Sequence, residues 1–128
     1  MIKETKETKI TRRKKGKEQM RFENLTDCEL LVMKILWDAE KELGLSEVTQ
    51  RANETYQRDW KLQTVSTFLT RLVNKSYLES YRQGRVFYYR ILVPETDYVK
   101  ELAQDFIAFW GWDNMEIFLA VVEKGRAE

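Results

Sequence analysis

The sequence predicts a mainly α fold with one small β-hairpin (α+β), and three observations carry that expectation. Apolar residues at Val65, Phe68, Leu69, Leu72 and Val73 recur at three-and-four spacing, which places all five on one face of a helix. Immediately afterwards, Tyr77 to Ile91 is rich in Tyr, Phe, Val and Leu and is interrupted at Gln83-Gly84, the signature of a two-stranded hairpin with its tip at the glycine. Amphipathic helical patterns lie on both sides of this pair. The face of the central helix opposite its apolar stripe carries Gln63, Thr64, Ser66, Thr67, Thr70, Arg71 and Asn74, with no Glu/Lys pair of the kind that marks a merely solvated face. Short hydroxyl and amide groups with one arginine suit hydrogen bonding to base edges and phosphates. Arg82 and Arg85 flank the hairpin turn and Arg90 lies further along the second strand, so the tip can carry positive charge to a phosphate backbone. A polar-faced helix followed by a basic hairpin is the winged helix-turn-helix arrangement.

The elements follow in order. Residues 1–21 alternate Lys, Arg, Thr and Glu with scarcely an apolar residue, so they read as a basic, disordered tail; the run TRRKKGK within them is either an arm that tracks phosphates or a leader, with Met20 as an alternative start. Residues 22–93 read as the winged-helix DNA-binding domain. Thr26 and Glu29 have capping-box spacing, and Leu25 and Leu30 stand at the hydrophobic-staple positions of a helix that continues through Met33, Leu36 and Trp37 and ends before Lys41 to Gly44. Ser46 is read as the N-cap of a second helix with Val48, Ala52 and Tyr56 on its apolar side, and Trp60 as a core wedge beneath the third helix. Residues 94–128 read as a helical dimerisation segment. Pro94 starts a new helix in which Val99, Leu102, Phe106 and Phe109 form a seam at spacings of three, four and three, best read as a partner surface. Gly111 interrupts that pattern, and Met115, Phe118, Leu119 and Val122 form a second short apolar face.

Composition narrows the function. The chain has no histidine and a single cysteine, Cys28, which removes the commonest general base, any intrachain disulfide and any multi-thiolate metal site. An enzyme is therefore not expected, nor a metal or other cofactor. No apolar run approaches the length of a membrane span, so no membrane insertion is expected and the cytoplasm is the expected compartment. The net charge of +1 hides a partition: residues 1–21 carry +6, residues 22–55 carry −5, residues 56–90 carry +5 and residues 91–128 carry −5. Within the predicted fold the helix and hairpin are the one basic region, the footprint of a polyanion site.

Taken together, Leu25-Thr26-Asp27, the run from Glu29 to Trp37, Thr64-Val65, Thr67, Leu69, Thr70-Arg71-Leu72, Lys75, Gly84-Arg85 and Tyr88-Tyr89 resemble the penicillinase and methicillin-resistance repressors of the BlaI/MecI family, over roughly residues 22–124. The resemblance implies a dimeric, winged-helix transcriptional repressor that binds a palindromic double-stranded DNA operator, with the positions of Gln63, Thr64, Ser66, Thr67 and Arg71 facing the DNA. It also implies relief by a sensor-linked protease that cuts within the dimerisation helix, where the matching bond is Asp105-Phe106. This sequence departs from the family pattern in three places: Ser66 stands where a basic residue is common, Ser76 where glycine is usual, and Asp105 where the cut bond has asparagine. The first of these implies a different operator. The paired cysteines of the family's copper-responsive branch are absent, which argues against metal sensing. The second functional reading is a winged-helix module that binds protein without sequence-specific DNA binding; steep salt dependence separates DNA binding from it.

Overall fold

In a computed structural model that describes residues 22–110 and 115–127, those residues form five helices and three short strands. The readings of residues 1–21 as a disordered tail and of Gly111 as a helix break fall outside the described residues.

The first unit, Phe22–Glu95, is the winged helix. Helix α1 (Asp27–Asp38) starts with the expected capping box: Thr26 accepts from the Glu29 amide at 3.2 Å, and Glu29 accepts from the Thr26 amide at 2.9 Å. Its inner face, Val32, Met33, Ile35 and Leu36, is buried. Trp37 at the far end of that face donates its indole N–H to the Val93 carbonyl at 2.9 Å. Helix α2 (Leu45–Tyr56) buries Val48, Thr49 and Ala52, and its Tyr56 hydroxyl donates to the Leu31 carbonyl of α1 at 2.9 Å. Ser46 is not its cap. The helix starts two residues earlier than that cap implies, with Gly44 as N-cap and no side-chain cap, because Leu43 and Gly44 form a two-residue strand, β1, that runs directly into it. The sequence pattern gave no sign of that strand.

Helix α3 (Leu62–Asn74) buries Val65, Leu69 and Leu72 and half-buries Phe68 and Val73, as its spacing predicts. It ends in a Schellman motif: the Tyr77 amide donates to the Leu72 carbonyl and the Ser76 amide to the Val73 carbonyl, each at 3.0 Å. Ser76 adopts φ 67°, the left-handed conformation that glycine takes without steric cost. Strands β2 (Leu78–Gln83) and β3 (Val86–Ile91) form the hairpin, and the antiparallel sheet order is β1-β3-β2. Leu43 pairs with Tyr89 and Gly44 with Tyr88. A Cβ on Gly44 would lie 3.2 Å from Val86 Cγ1 and 3.3 Å from the Phe87 carbonyl oxygen, so its lack of a side chain permits this close pairing.

The second unit begins at Thr96 and contains the rest of α4 (Glu95–Trp110) together with α5 (Met115–Ala127). Within it, Phe106 lies edge-on to Phe118 at 5.7 Å, which joins the two helices through one aromatic contact. Helix α4 has no buried residue.

Candidate nucleic-acid interface

One side chain fastens the turn between α2 and α3. Asn53 donates through Nδ2 to the Trp60 carbonyl at 3.0 Å and accepts from the Trp60 amide through Oδ1 at 2.9 Å, so both halves of its amide hold the residue just before α3. The helix before this turn ends with Gln57 in the left-handed region at φ 52°. Trp60 packs edge-on against Phe68 at 5.1 Å and carries the Arg58 guanidinium over its ring at 5.3 Å. Trp60 is thus the half-buried wedge its position predicts. Asn53 drew no notice in the sequence, since an amide seven residues from its partner has no local signature.

Along α3 the residues expected to meet DNA share the side away from the core. Gln63, Thr70 and Arg71 are exposed, and Thr64, Ser66 and Thr67 are half-exposed. No acidic residue interrupts them. The Thr67 hydroxyl donates to the Gln63 carbonyl at 3.1 Å, one turn back. Its hydrogen is thereby committed to the helix backbone, which leaves the methyl group and the oxygen lone pairs for a ligand.

The wing supplies the second cationic element. Its register pairs Arg82 with Phe87 and Gln83 with Val86, so the two-residue turn is Gly84-Arg85 and not Gln83-Gly84. Gly84 has φ 68° at the first turn position, the place where a II′ hairpin turn needs glycine. Arg85 is exposed at the tip, and the Arg82 guanidinium rests 5.5 Å from the centroid of the cross-strand Phe87 ring while remaining exposed. Arg90 behaves differently. Its Nε donates to Glu42 at 3.1 Å, it pairs with Glu79 at 3.6 Å, and its guanidinium lies 4.6 Å from the centroid of Tyr81. The Tyr81 hydroxyl also donates to Glu42, and this bond with that from Arg90 holds the Glu42 carboxyl below its ordinary range. Arg90 therefore braces the base of the wing, and the free cationic end of the hairpin is Arg82 and Arg85.

Beneath the interface lies an ion pair that the sequence did not announce. Glu29 is 1% exposed and takes the Lys75 ammonium at 2.7 Å, joining the first turn of α1 to the C-cap of α3. Burial pushes the Glu29 carboxyl up, but the hydrogen bond from Lys75, the bonds from Thr26 and the Lys75 charge outweigh it and leave the group below its ordinary value. Among the described residues no group of His, Cys, Asp and Glu is arranged to hold a metal ion, and no helix is long and apolar enough to cross a membrane.

Comparison with known proteins agrees with this geometry. The penicillinase repressor family model matches residues 25–126. The penicillinase repressor of Bacillus licheniformis is 32% identical over 83 residues, which cover 65% of this chain and 62% of that protein. The methicillin resistance regulatory protein MecI of Mammaliicoccus sciuri is 29% identical over 83 residues, covering 65% of each chain. Both matches thus span less than two thirds of the relative's length. Among solved structures, the DNA-binding domain of the repressor BlaI superposes with a TM-score of 0.52 at 33% identity, covering 61% of this chain and 92% of that one. The Bacillus licheniformis BlaI monomeric form in complex with the blaP half-operator superposes with a TM-score of 0.50, also at 33% identity, covering 61% of this chain and 92% of that one. By its fold and by the family match across four fifths of its length, this chain belongs to the penicillinase repressor family.

Proposed function

We propose that the protein is a transcriptional repressor of the cytoplasm that binds an operator in double-stranded DNA, one winged unit per half-site, as a homodimer. The observation that carries this reading is the uninterrupted polar face of α3 beside a wing whose exposed end holds two arginines, with the nearby acids Glu42 and Glu79 already committed to Arg90. The face supplies base-edge partners and the wing supplies phosphate partners. That a related repressor is solved in monomeric form on a half-operator supports one unit per half-site.

The dimer rests on α4, where Val99, Leu102, Phe106 and Phe109 are 51%, 55%, 45% and 75% exposed. Apolar groups left so open in one copy fit a seam closed by a second. Phe106 has a divided role, since its ring also touches Phe118 of its own chain. Relief of repression by a sensor-linked protease at Asp105-Phe106 belongs to the same reading, because a cut there would divide the seam between Leu102 and Phe106.

The test is selection of duplexes from a random-sequence library by the full chain, followed by titration of the winning sequence across a range of salt. An inverted repeat, bound with an affinity that falls steeply as salt rises, is the expected result. No enrichment, or binding indifferent to salt, would instead favour the protein-binding use of the fold.

A further inference from the structure

We infer, on the DNA-binding reading above, that Phe87 is a positioning residue of the wing, whose ring holds the Arg82 guanidinium in place for a backbone phosphate.

The first observation is the side of the hairpin on which the pair lies. The register sets Leu78, Ser80 and Arg82 of β2 opposite Ile91, Tyr89 and Phe87 of β3, and strand alternation puts all six on one side of the sheet. Leu78 and Tyr89 are buried, so this is the side that the helices cover. Arg82 and Phe87 stand at the tip end of the row, beyond its last buried residue, and there the same side is open: Phe87 is 48% exposed. An apolar ring carried past the end of the core is not accounted for by the core.

The second observation is how charge divides between the two sides. Glu79, Tyr81 and Arg90 lie on the opposite side, where Glu42 accepts hydrogen bonds from Tyr81 and Arg90. Alternation thus gives the acid of the hairpin and its bracing arginine to one side and Arg82 to the other, where no carboxylate of the hairpin shares its row. The Phe87 ring takes the guanidinium instead, with 5.5 Å from its central carbon to the ring centroid.

What the ring contributes follows from the chemistry of arginine. The side chain has several rotatable bonds, and a phosphate that captures it from free solution must offset the loss of that freedom. Attraction to the electron-rich face of Phe87 restrains Arg82 before DNA arrives. At an exposed site such an attraction shifts an equilibrium by about two- to fivefold. The guanidinium N–H groups point outward in their own plane, so a ring against the guanidinium face leaves them for phosphate oxygens. Arg82 is therefore both held and available.

The experiment is a double-mutant cycle in the full chain, comparing wild type, Phe87→Leu, Arg82→Gln and the two together, with Phe87→Tyr as the variant that keeps the ring. Each is titrated by fluorescence anisotropy against the selected operator and against a random-sequence duplex, between about 50 and about 200 mM salt. Arg82→Gln should flatten the salt dependence, as loss of a phosphate contact does. Phe87→Leu should weaken both duplexes by about two- to fivefold for each wing seated on them, since a phosphate contact carries no base information. Phe87→Tyr should bind as wild type does, and Phe87→Leu should have no further effect in the Arg82→Gln background. A ring that touches DNA itself, or that only supports the fold, acts alike in both backgrounds. An equal effect of Phe87→Leu with and without Arg82, or no effect in either, therefore overturns the positioning role alone, whatever the unfolding temperature of the variant. Equal weakening by Phe87→Tyr and Phe87→Leu overturns it too. If Arg82→Gln leaves the salt dependence unchanged in a chain that binds its operator, Phe87 has no phosphate contact to prepare, and its role falls with that of Arg82. A full chain that binds no duplex overturns the positioning role together with the repressor reading.

Discussion

The winged unit and the carboxy-terminal helices spend their apolar residues in opposite ways. In the first, Val32, Met33, Leu43, Val48, Val65, Leu69, Leu72 and Tyr77 are each 0% exposed, and the polar groups beneath them are paired. In the second, α4 buries nothing and Phe109 stands 75% exposed. At about 25 cal/mol per Å² of apolar surface removed from water, the first arrangement supports its own folding and the second gains its main stabilisation only when another surface covers it. Under the proposed function, the DNA-binding unit is complete within one chain, whereas the surface proposed to join two copies is left open. On that proposal, coupling is the step at which a modest change should have its greatest effect on DNA binding.

The largest expected effect follows from that contrast. Phe106→Asp places a charge in the seam and should yield a monomer whose operator affinity falls by roughly 100-fold or more, the advantage lost when two linked sites become independent. Because Phe106 also touches Phe118, Leu102→Asp serves as a companion, and the two variants should agree. Sedimentation equilibrium reads the mass and anisotropy the affinity. An intact dimer in both variants would erase the distinction drawn between the units.

A second variant probes the completeness of the winged unit. Glu29→Ala removes half of the capping box and leaves the Lys75 ammonium without its carboxylate, at a cost of roughly 3 kcal/mol read from denaturant unfolding. The pH dependence has a defined sign. Since the folded-state carboxyl lies below its ordinary value of 4.5, its contribution is fully present above that pH and fades as pH falls through the folded value. The gap between wild type and Glu29→Ala should therefore be constant near neutrality and shrink in acid. A gap that widens in acid would reject the ion pair as its source.

These two tests differ in how much of their basis is visible in the sequence. The exposed apolar row of Val99, Leu102, Phe106 and Phe109 on α4 is legible because helical spacing is a local property, and so are the Thr26/Glu29 cap, the polar face of α3 and the glycine at the wing tip. What stays hidden depends on partners far along the chain. Strand β1 has only two residues and exists because Leu43 and Gly44 meet Tyr89 and Tyr88. Lys75 finds Glu29 across 46 positions, and Arg90 finds Glu42 across 48, which makes Arg90 a brace at the base of the wing. The Asn53 clasp on Trp60 is closer in sequence but depends on the fold of a turn, and asparagine in a helix gives no hint of it.

The smallest effect concerns a departure from the family pattern that the structure explains. Ser76 occupies a left-handed position that glycine takes without steric cost. Ser76→Gly should raise stability by about 1 kcal/mol through relief of backbone strain, seen as a higher denaturant midpoint with operator affinity unchanged. A lower midpoint would mean that the serine side chain offsets the strain.

Contact between the exposed face of α3 and the duplex is read most directly from the salt dependence of operator binding for wild type and Arg71→Ala. With Arg71 on a phosphate, the variant should bind every duplex more weakly, keep its ranking of sequences, and show a log–log salt slope shallower by about 1 per site. An unchanged slope together with unchanged affinity would place the duplex elsewhere on the protein and contradict the account.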